Sequence, residues 1–269
     1  MQDRFLGERT ALVTGATSGI GLAIAQALAA AGARVAISGL GSDQQISEAL
    51  ASIDAAGANG SRHFPADLRD AAAIEAMMSS CASWSQPDIL VNCAGIQHAA
   101  SLEQMPAATW DAVLAINLSA AFHTMRLALP AMAASGFGRV INIASVHGLV
   151  ASVNKTPYVA SKFGLVGLSK GAALEYAGQG SRASGGVTVN CVCPGWVETP
   201  LIEPQVEARQ AAVGGSRDDG VRALLAEKQP SGRMSLPAEI AELVVWLCRP
   251  AAHNLTGAAI PVDGGWTAQ

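Results

Sequence analysis

The sequence predicts an α/β protein built on one doubly wound parallel sheet of about seven strands. Three observations carry that expectation. Short apolar runs rich in Val and Ile alternate with longer, Ala-rich runs along the whole chain. Strands separated by helical patterns imply βαβ units with right-handed crossovers, and so a parallel sheet. The first unit opens on a glycine-rich turn, "VTGATSGIG" (13–21), and no Pro/Ser-rich linker splits the alternation, so residues 1–269 are read as one domain.

The elements follow in order. "TALVTG" (10–15) reads as a buried strand and "IGLAIAQALAAAG" (20–32) as a helix ending at Gly32. "RVAISG" (34–39) is a strand, "ISEALASIDAAG" (46–57) a helix closed by Gly57, and "SRHFPADL" (61–68) a short strand with its exit loop. "AAAIEAMMSSCASW" (71–84) is helical and "DILVNCAG" (88–95) returns to strand. A long helical stretch (109–135) precedes the strand "GRVINIAS" (138–145), the helix 158–178 and the strand "GVTVNCVCPG" (186–195). "PAEIAELVVWLCRP" (237–250) is a helix and "GAAIPVDGG" (257–265) a last strand.

Two segments break this rhythm. "GQGSRASGG" (178–186) is a polar surface loop. Residues 198–234 are too long for an ordinary connection between strand and helix, contain helical pieces, and follow directly on the C-terminal end of a strand. Ligands of open α/β sheets bind at that edge, so the segment is read as a substrate lid, with subunit packing as the competing use.

Composition narrows the class. Half of the residues are apolar but only 4% are aromatic, which suits an aliphatic core of parallel strands covered on both faces. Lys plus Arg number 17 against 21 Asp plus Glu, for a net charge of −4, and no basic run exists to hold a nucleic acid. The start, Met1-Gln2-Asp3-Arg4, lacks the basic-then-apolar pattern of a signal peptide, and no uninterrupted apolar run approaches the ~20 residues of a membrane span. Five Cys, an odd number, argue against a disulfide framework and for a reducing cytoplasm. Cys191 and Cys193 read as neighbours on a buried strand, and the His residues show no metal-ligand spacing, so no metal is expected.

The glycine turn carries the first functional signal. Gly15 permits a sharp turn, while Gly19 and Gly21 keep side chains away from a pyrophosphate at a helix N-terminus, where free N–H groups and the helix dipole favour negative charge. At the end of the second strand, Ser38-Gly39-Leu40-Gly41 has no acid to grip a ribose 2′-hydroxyl. Neither that turn nor the glycine loop offers Arg or Lys to a 2′-phosphate, so NAD is expected rather than NADP. Asp67 and Leu68, after the third strand, are placed to reach an adenine ring.

The second signal is "SVHGLVASVNKTPYVASKFG" (145–164), which gathers Ser, His, Lys and Tyr in a chain with 14% charged residues. Tyr158 and Lys162 stand four apart on a helix and share a face, with Ser145 ending the preceding strand. A phenol titrates near pH 10, and bringing it roughly three pH units down asks for about 4 kcal/mol. The Lys162 ammonium is expected to supply part of that, together with a positive nicotinamide.

With these motifs the chain resembles the short-chain dehydrogenase/reductase family over essentially its full length. The matching stretches are "TGATSGIG" (14–21), "NCAG" (92–95), Asn117 in "INLS", Ser145, "YVASK" (158–162), "PGWVETP" (194–200) and "VDGG" (262–265). Cys93 stands where the family usually has a second Asn. The resemblance implies a single-domain Rossmann-type fold with Tyr158 as general acid/base. Lys162 would lower its pKa and hold a ribose hydroxyl, Ser145 would bond the reacting oxygen, and Asn117 would position a water in a proton relay. Around the cofactor it implies Gly15, Thr17, Ser18, Gly19, Ile20, Gly21, Leu40, Asp67, Leu68, Asn92, Ala94, Gly95, Tyr158, Lys162, Pro194, Gly195, Val197 and Thr199. It also implies a homotetramer.

Further polar groups fall where a substrate would sit: Gln97 and His98 after "NCAG", His147, Lys155, and Gln205 in the lid segment. A Lys, a His and two amides converging would suit a carboxylate, and Trp196 and Trp266 could wall off a small apolar end. Within the family, "AGIQH", "SVHGLVAS", "NKTPYVASK", "PGWVETPLIEPQ", "EKQPS" and "VDGGWTA" resemble the branch that oxidises (R)-3-hydroxybutyrate. That resemblance implies a clamp of Gln97, His147, Lys155 and Gln205 on the carboxylate, beside Ser145 and Tyr158, with Trp196 and Trp266 near the methyl group. A 3-oxoacyl thioester reductase, a polyol dehydrogenase and a non-catalytic NAD-binding protein are the competing readings.

Overall fold

The computed structural model describes residues 4–268. Among these, seven parallel strands form one sheet: β1 (Thr10–Thr14), β2 (Arg34–Ser38), β3 (Ser61–His63), β4 (Ile89–Asn92), β5 (Phe137–Ile143), β6 (Gly186–Pro194) and β7 (Ala259–Val262). Their order is β3-β2-β1-β4-β5-β6-β7, so the winding reverses between β1 and β4 and opens a crevice there, at the carboxyl ends of the strands.

The strands are apolar throughout because both faces are covered. Successive side chains point to opposite faces. Leu12, Leu90 and Val140 therefore pack against α3 (Ala71–Trp84), α5 (Ala120–Ser135) and α6 (Thr156–Tyr176). Their neighbours Val13, Ile89, Val91 and Ile141 pack on the other face against α1 (Gly19–Ala30), α2 (Asp43–Ala55) and α9 (Pro237–Leu247). Each fully buried Leu, Ile or Val contributes about 1.5–3 kcal/mol. Cys191 and Cys193 lie on β6, both buried, as neighbours two apart on one face should.

Two places refine the sequence reading. In 61–68, read as a short strand with its exit loop, the strand is Ser61–His63, and Ala66, Asp67 and Leu68 of the loop line the crevice's edge. The helical stretch expected over 109–135 is continuous but not uniform: α4 (Ala107–Leu114) passes through a π turn (Ala115–Ser119) into α5. This widened turn, a feature that often marks functional sites, carries Asn117. By length and composition Ala107–Ser135 could cross a bilayer, but it is a core helix, with Met125, Leu129 and Met132 buried in the cluster on the sheet.

Residues 198–234 contain a helical hairpin, α7 (Glu203–Val213) and α8 (Arg217–Ala226), turning at Gly214. Ser216 and Asp219 form a reciprocal cap at the start of α8. The hairpin's inner face, Ile202, Val206, Leu224 and Leu225, packs with Val146, Trp196 and Trp266.

Candidate active site

One cavity of about 890 Å³ runs along the carboxyl ends of the strands, from the glycine turn to the start of the α7–α8 hairpin. At its first end the backbone makes the wall. Gly15 has φ +66°, and a Cβ there would lie 2.7 Å from Ala94 Cα. A Cβ on Gly21 would lie 2.2 Å from the Gly15 carbonyl oxygen, so only glycine fits. Ser42, Asp70 and Ser216 cap their helices with their side chains, but Ser18, at the start of α1, makes no such bond. The first N–H groups of α1 thus face the cavity without a side-chain partner, which fits a pyrophosphate. Thr17, Ser18, Gly19, Ile20, Ala94 and Gly95 complete this wall, with Pro194, Gly195, Val197 and Thr199 opposite.

Leu40 is 84% exposed at the tip of the acid-free turn, which is held by Thr17 Oγ1 donating to the Leu40 carbonyl (2.7 Å) and by His63 bonded to Gly39 (3.0 Å). Asp67 and Leu68 line the same end. A cation missed by the sequence reading, Arg69, lines it as well. Its guanidinium forks onto Asp67 (2.7 Å), whose carboxyl it holds at about 2, so the two charges at this end offset each other. The signal was legible in "DLRD" (67–70), one residue past Leu68.

At the centre stand Ser145, Tyr158 and Lys162, 7%, 9% and 3% exposed. Ser145 Oγ accepts the His147 N–H (3.1 Å) and hydrogen-bonds the Tyr158 side chain. Lys162 Nζ donates to the Ile143 carbonyl (2.8 Å) and lies 5.6 Å from the Tyr158 ring centroid. The expected electrostatics need correction here. Burial raises the Tyr158 pKa above its ordinary value, Ser145 opposes that, and the charge of Lys162 is not among the causes that lower it. The reason is that Lys162 is itself desolvated and drawn down to about 8. In the free protein the phenol therefore keeps its proton.

Two implied residues do not line the cavity. Asn92, read as a cofactor ligand, instead donates to Asn142 Oδ1 (2.8 Å) and accepts from Thr124 Oγ1 (2.7 Å) in a buried network behind the crevice. That network continues from Asn142 to Ser169 (2.7 Å) and ties β4 and β5 to α6. Asn117 bonds both backbone groups of Ile96 (2.9 Å each) and Ser161 (3.2 Å), facing a water-sized cavity of about 10 Å³ under the main one. Cys93, at the departure from the family's motif, lines the main cavity with a thiol that burial pushes up to about 12.

At the far end side chains of the 198–234 segment meet the loop that precedes α6. Lys155 Nζ donates to Gln205 Oε1 (2.7 Å), a contact spanning 50 residues. Gln97, His147, Lys155 and Gln205 all line the cavity, whereas His98 is exposed outside it. Trp196 and Trp266 are in tilted contact (44° between planes) at 4.4 Å between ring centroids, and His147 stands edge-on to Trp266 (5.4 Å) and Tyr158 (6.1 Å). His147 differs from the donor expected of it. Its Nδ1 lies 3.2 Å from the Val150 carbonyl, which can only accept, so the proton sits on Nδ1. Burial lowers its pKa to about 4, leaving the ring neutral and the other nitrogen an acceptor. Leu201 and Ile202, inside the quoted stretch "PGWVETPLIEPQ" but given no role there, also line the cavity.

A nucleotide cradle of bare backbone beside a buried Ser–Tyr–Lys centre defines a nicotinamide-dependent oxidoreductase. The family model described as Enoyl-(Acyl carrier protein) reductase matches residues 15–267, and the chain belongs to the short-chain dehydrogenase/reductase family. It is 51% identical to a D-beta-hydroxybutyrate dehydrogenase of Cupriavidus necator, over 98% of this chain and all of that one. It is 42% identical to a D-beta-hydroxybutyrate dehydrogenase of Rhizobium meliloti, over 97% of this chain and 99% of the other. Among solved structures, a variant of actinorhodin polyketide ketoreductase with NADPH superposes with a TM-score of 0.88 at 36% identity, covering 97% of this chain and 98% of that one.

Proposed function

We propose that this protein catalyses the NAD-dependent, reversible oxidation of (R)-3-hydroxybutyrate to acetoacetate. The observation that carries this reading is the Lys155–Gln205 pair, brought from two distant segments into the cavity that holds Ser145, Tyr158 and Lys162. A cation with amide donors beside it suits a carboxylate. The space between that pair and the tryptophan wall suits a short alkyl end, and the two D-beta-hydroxybutyrate dehydrogenases among the relatives support the same choice.

In this reading Gln97, Lys155 and Gln205 hold the carboxylate, with His147 accepting a hydrogen bond at its rim. Ser145 holds the C3 oxygen, and Tyr158 exchanges the proton on that oxygen. A bound nicotinamide supplies the acceptor for the C3 hydride and, when oxidised, a positive charge near the phenol. The protonated phenol of the free protein is already the donor that ketone reduction needs, while alcohol oxidation requires it to lose its proton first. Lys162, cationic below about pH 8, helps hold that anion and takes a ribose hydroxyl. NAD is favoured over NADP because the turn at Leu40 carries no cation and Arg69 is paired with Asp67.

Residues 198–234 serve as the lid, with the Lys155–Gln205 bond as its latch. A homotetramer in the cytoplasm completes the proposal. Phe122, Phe163 and Leu174, exposed on α5 and α6, offer apolar surface for assembly, and the five cysteines are free thiols. The test is an assay of both enantiomers with NAD and with NADP. Turnover of (R)-3-hydroxybutyrate with NAD supports the reading; exclusive use of NADP, or of thioesters or polyols, overturns it.

A further inference from the structure

Gln229 belongs to no catalytic motif, yet three chain segments close on its side chain. It sits just past the lid hairpin, 2% exposed, its N–H donating to Leu225 (2.8 Å) and its carbonyl accepting from Gly232 (3.0 Å). Its Oε1 accepts the Trp196 N–H (3.1 Å), and its Nε2 donates to the Arg233 carbonyl. A Cβ on Gly195 would lie 2.7 Å from Gln229 Oε1, and one on Gly264 would lie 2.7 Å from its Cγ. The exits of β6 and β7 are thus both packed directly on this amide. Ser231, two residues on, donates its N–H to the Gly264 carbonyl (2.9 Å) and ties the same junction again.

Those two exits carry Trp196 and Trp266, whose tilted rings meet at 4.4 Å between centroids and line the cavity. The amide accepts from one strand exit with its oxygen and donates to the lid's return with its nitrogen. An apolar side chain of the same size would leave the buried Trp196 N–H without its partner and take one of two donors from the Arg233 carbonyl.

We propose that Gln229 is a positioning residue that sets the width of the apolar end of the substrate site, by fixing Trp196 against Trp266, and so limits the alkyl length of the hydroxy acid accepted. This rests on the reading that the two tryptophans face the substrate's methyl end. One methylene in an apolar pocket changes kcat/KM by roughly 10- to 200-fold, which sets the scale of the expected effect.

The test compares kcat/KM for (R)-3-hydroxybutyrate and (R)-3-hydroxypentanoate in wild type, Gln229→Leu, Gln229→Glu and Trp196→Ala, together with acrylamide quenching of tryptophan fluorescence. Gln229→Leu is expected to narrow the preference for the shorter acid about tenfold, with KM rising more than kcat falls, and to make the tryptophans more quenchable. Gln229→Glu keeps an acceptor for the Trp196 N–H and is expected to keep the preference even where it lowers Tm. If Gln229→Leu does not fold, Gln229→Asn, too short to reach both partners, decides on the same readouts. An unchanged preference in the Gln229 variants while Trp196→Ala alters it overturns the inference. A wild type that does not oxidise (R)-3-hydroxybutyrate overturns the substrate reading instead.

Discussion

The two ends of the cavity are built by opposite means. The nucleotide end is backbone: Gly15 and Gly21 exclude side chains, and the start of α1 presents N–H groups that Ser18 leaves uncapped. The substrate end is side chain: Gln97, His147, Lys155, Gln205, Trp196 and Trp266 come from five separate stretches and meet only in the folded chain. A backbone cradle is specified by what its residues lack and tolerates almost no addition. A side-chain pocket is specified by what each residue brings, and each can be removed singly. Substitutions should therefore separate cleanly into nucleotide effects at one end and substrate effects at the other, with Tyr158 affecting turnover alone.

Tyr158→Phe should produce the largest change, a loss of about 10³-fold or more in kcat with nucleotide affinity little altered, checked by steady-state rates and nucleotide titration. Gly21→Ala comes next. Its Cβ would meet the Gly15 carbonyl at 2.2 Å, so the cradle must shift, and KM for the nucleotide should rise about 100-fold. A rise in KM for the hydroxy acid alone would break the division between the two ends.

The His147 prediction concerns pH and stability. Its pKa is about 4 in the fold against an ordinary 6.5. Between those values the unfolded chain binds a proton that the folded one does not, so stability falls as pH drops from about 6.5 to about 4. Over that window the loss is about 3 kcal/mol. Denaturant unfolding at pH 7 and pH 4.5 measures it, and His147→Gln should flatten the difference by most of that amount. Lys155→Ala should raise KM for the hydroxy acid about 10- to 50-fold while leaving KM for the nucleotide within about twofold, sharpening the contrast from the other side. The smallest effect is expected at Leu40→Arg, an exposed position, where a new cation should improve use of NADP about fivefold.

The same contrast explains what could be read from the letters. "VTGATSGIG" is contiguous, so sheet class, crevice and cradle were legible in one stretch, as was "YVASK" on one helix face. The place of Asn92 in a strand-end motif says nothing of Thr124 and Asn142, which take its side-chain amide across the interior. The pull of Lys162 on Tyr158 was overstated because spacing conveys proximity but not desolvation, and here burial acts on both groups. His147 was expected to donate; Val150, three residues on, fixes the tautomer the other way. Gln229 was invisible as a functional residue, since its partners lie 33 residues upstream and at the far end of the chain.

The central claim is that the site pairs a phenol acid/base with a pocket that selects a small anion. Its most direct test is to compare kcat/KM for (R)-3-hydroxybutyrate and for its uncharged methyl ester in wild type and in Lys155→Ala. The account predicts that wild type favours the acid by about 100-fold and that most of this preference disappears in the variant. Equal turnover of acid and ester by the wild type, or a preference untouched by the loss of Lys155, would contradict it.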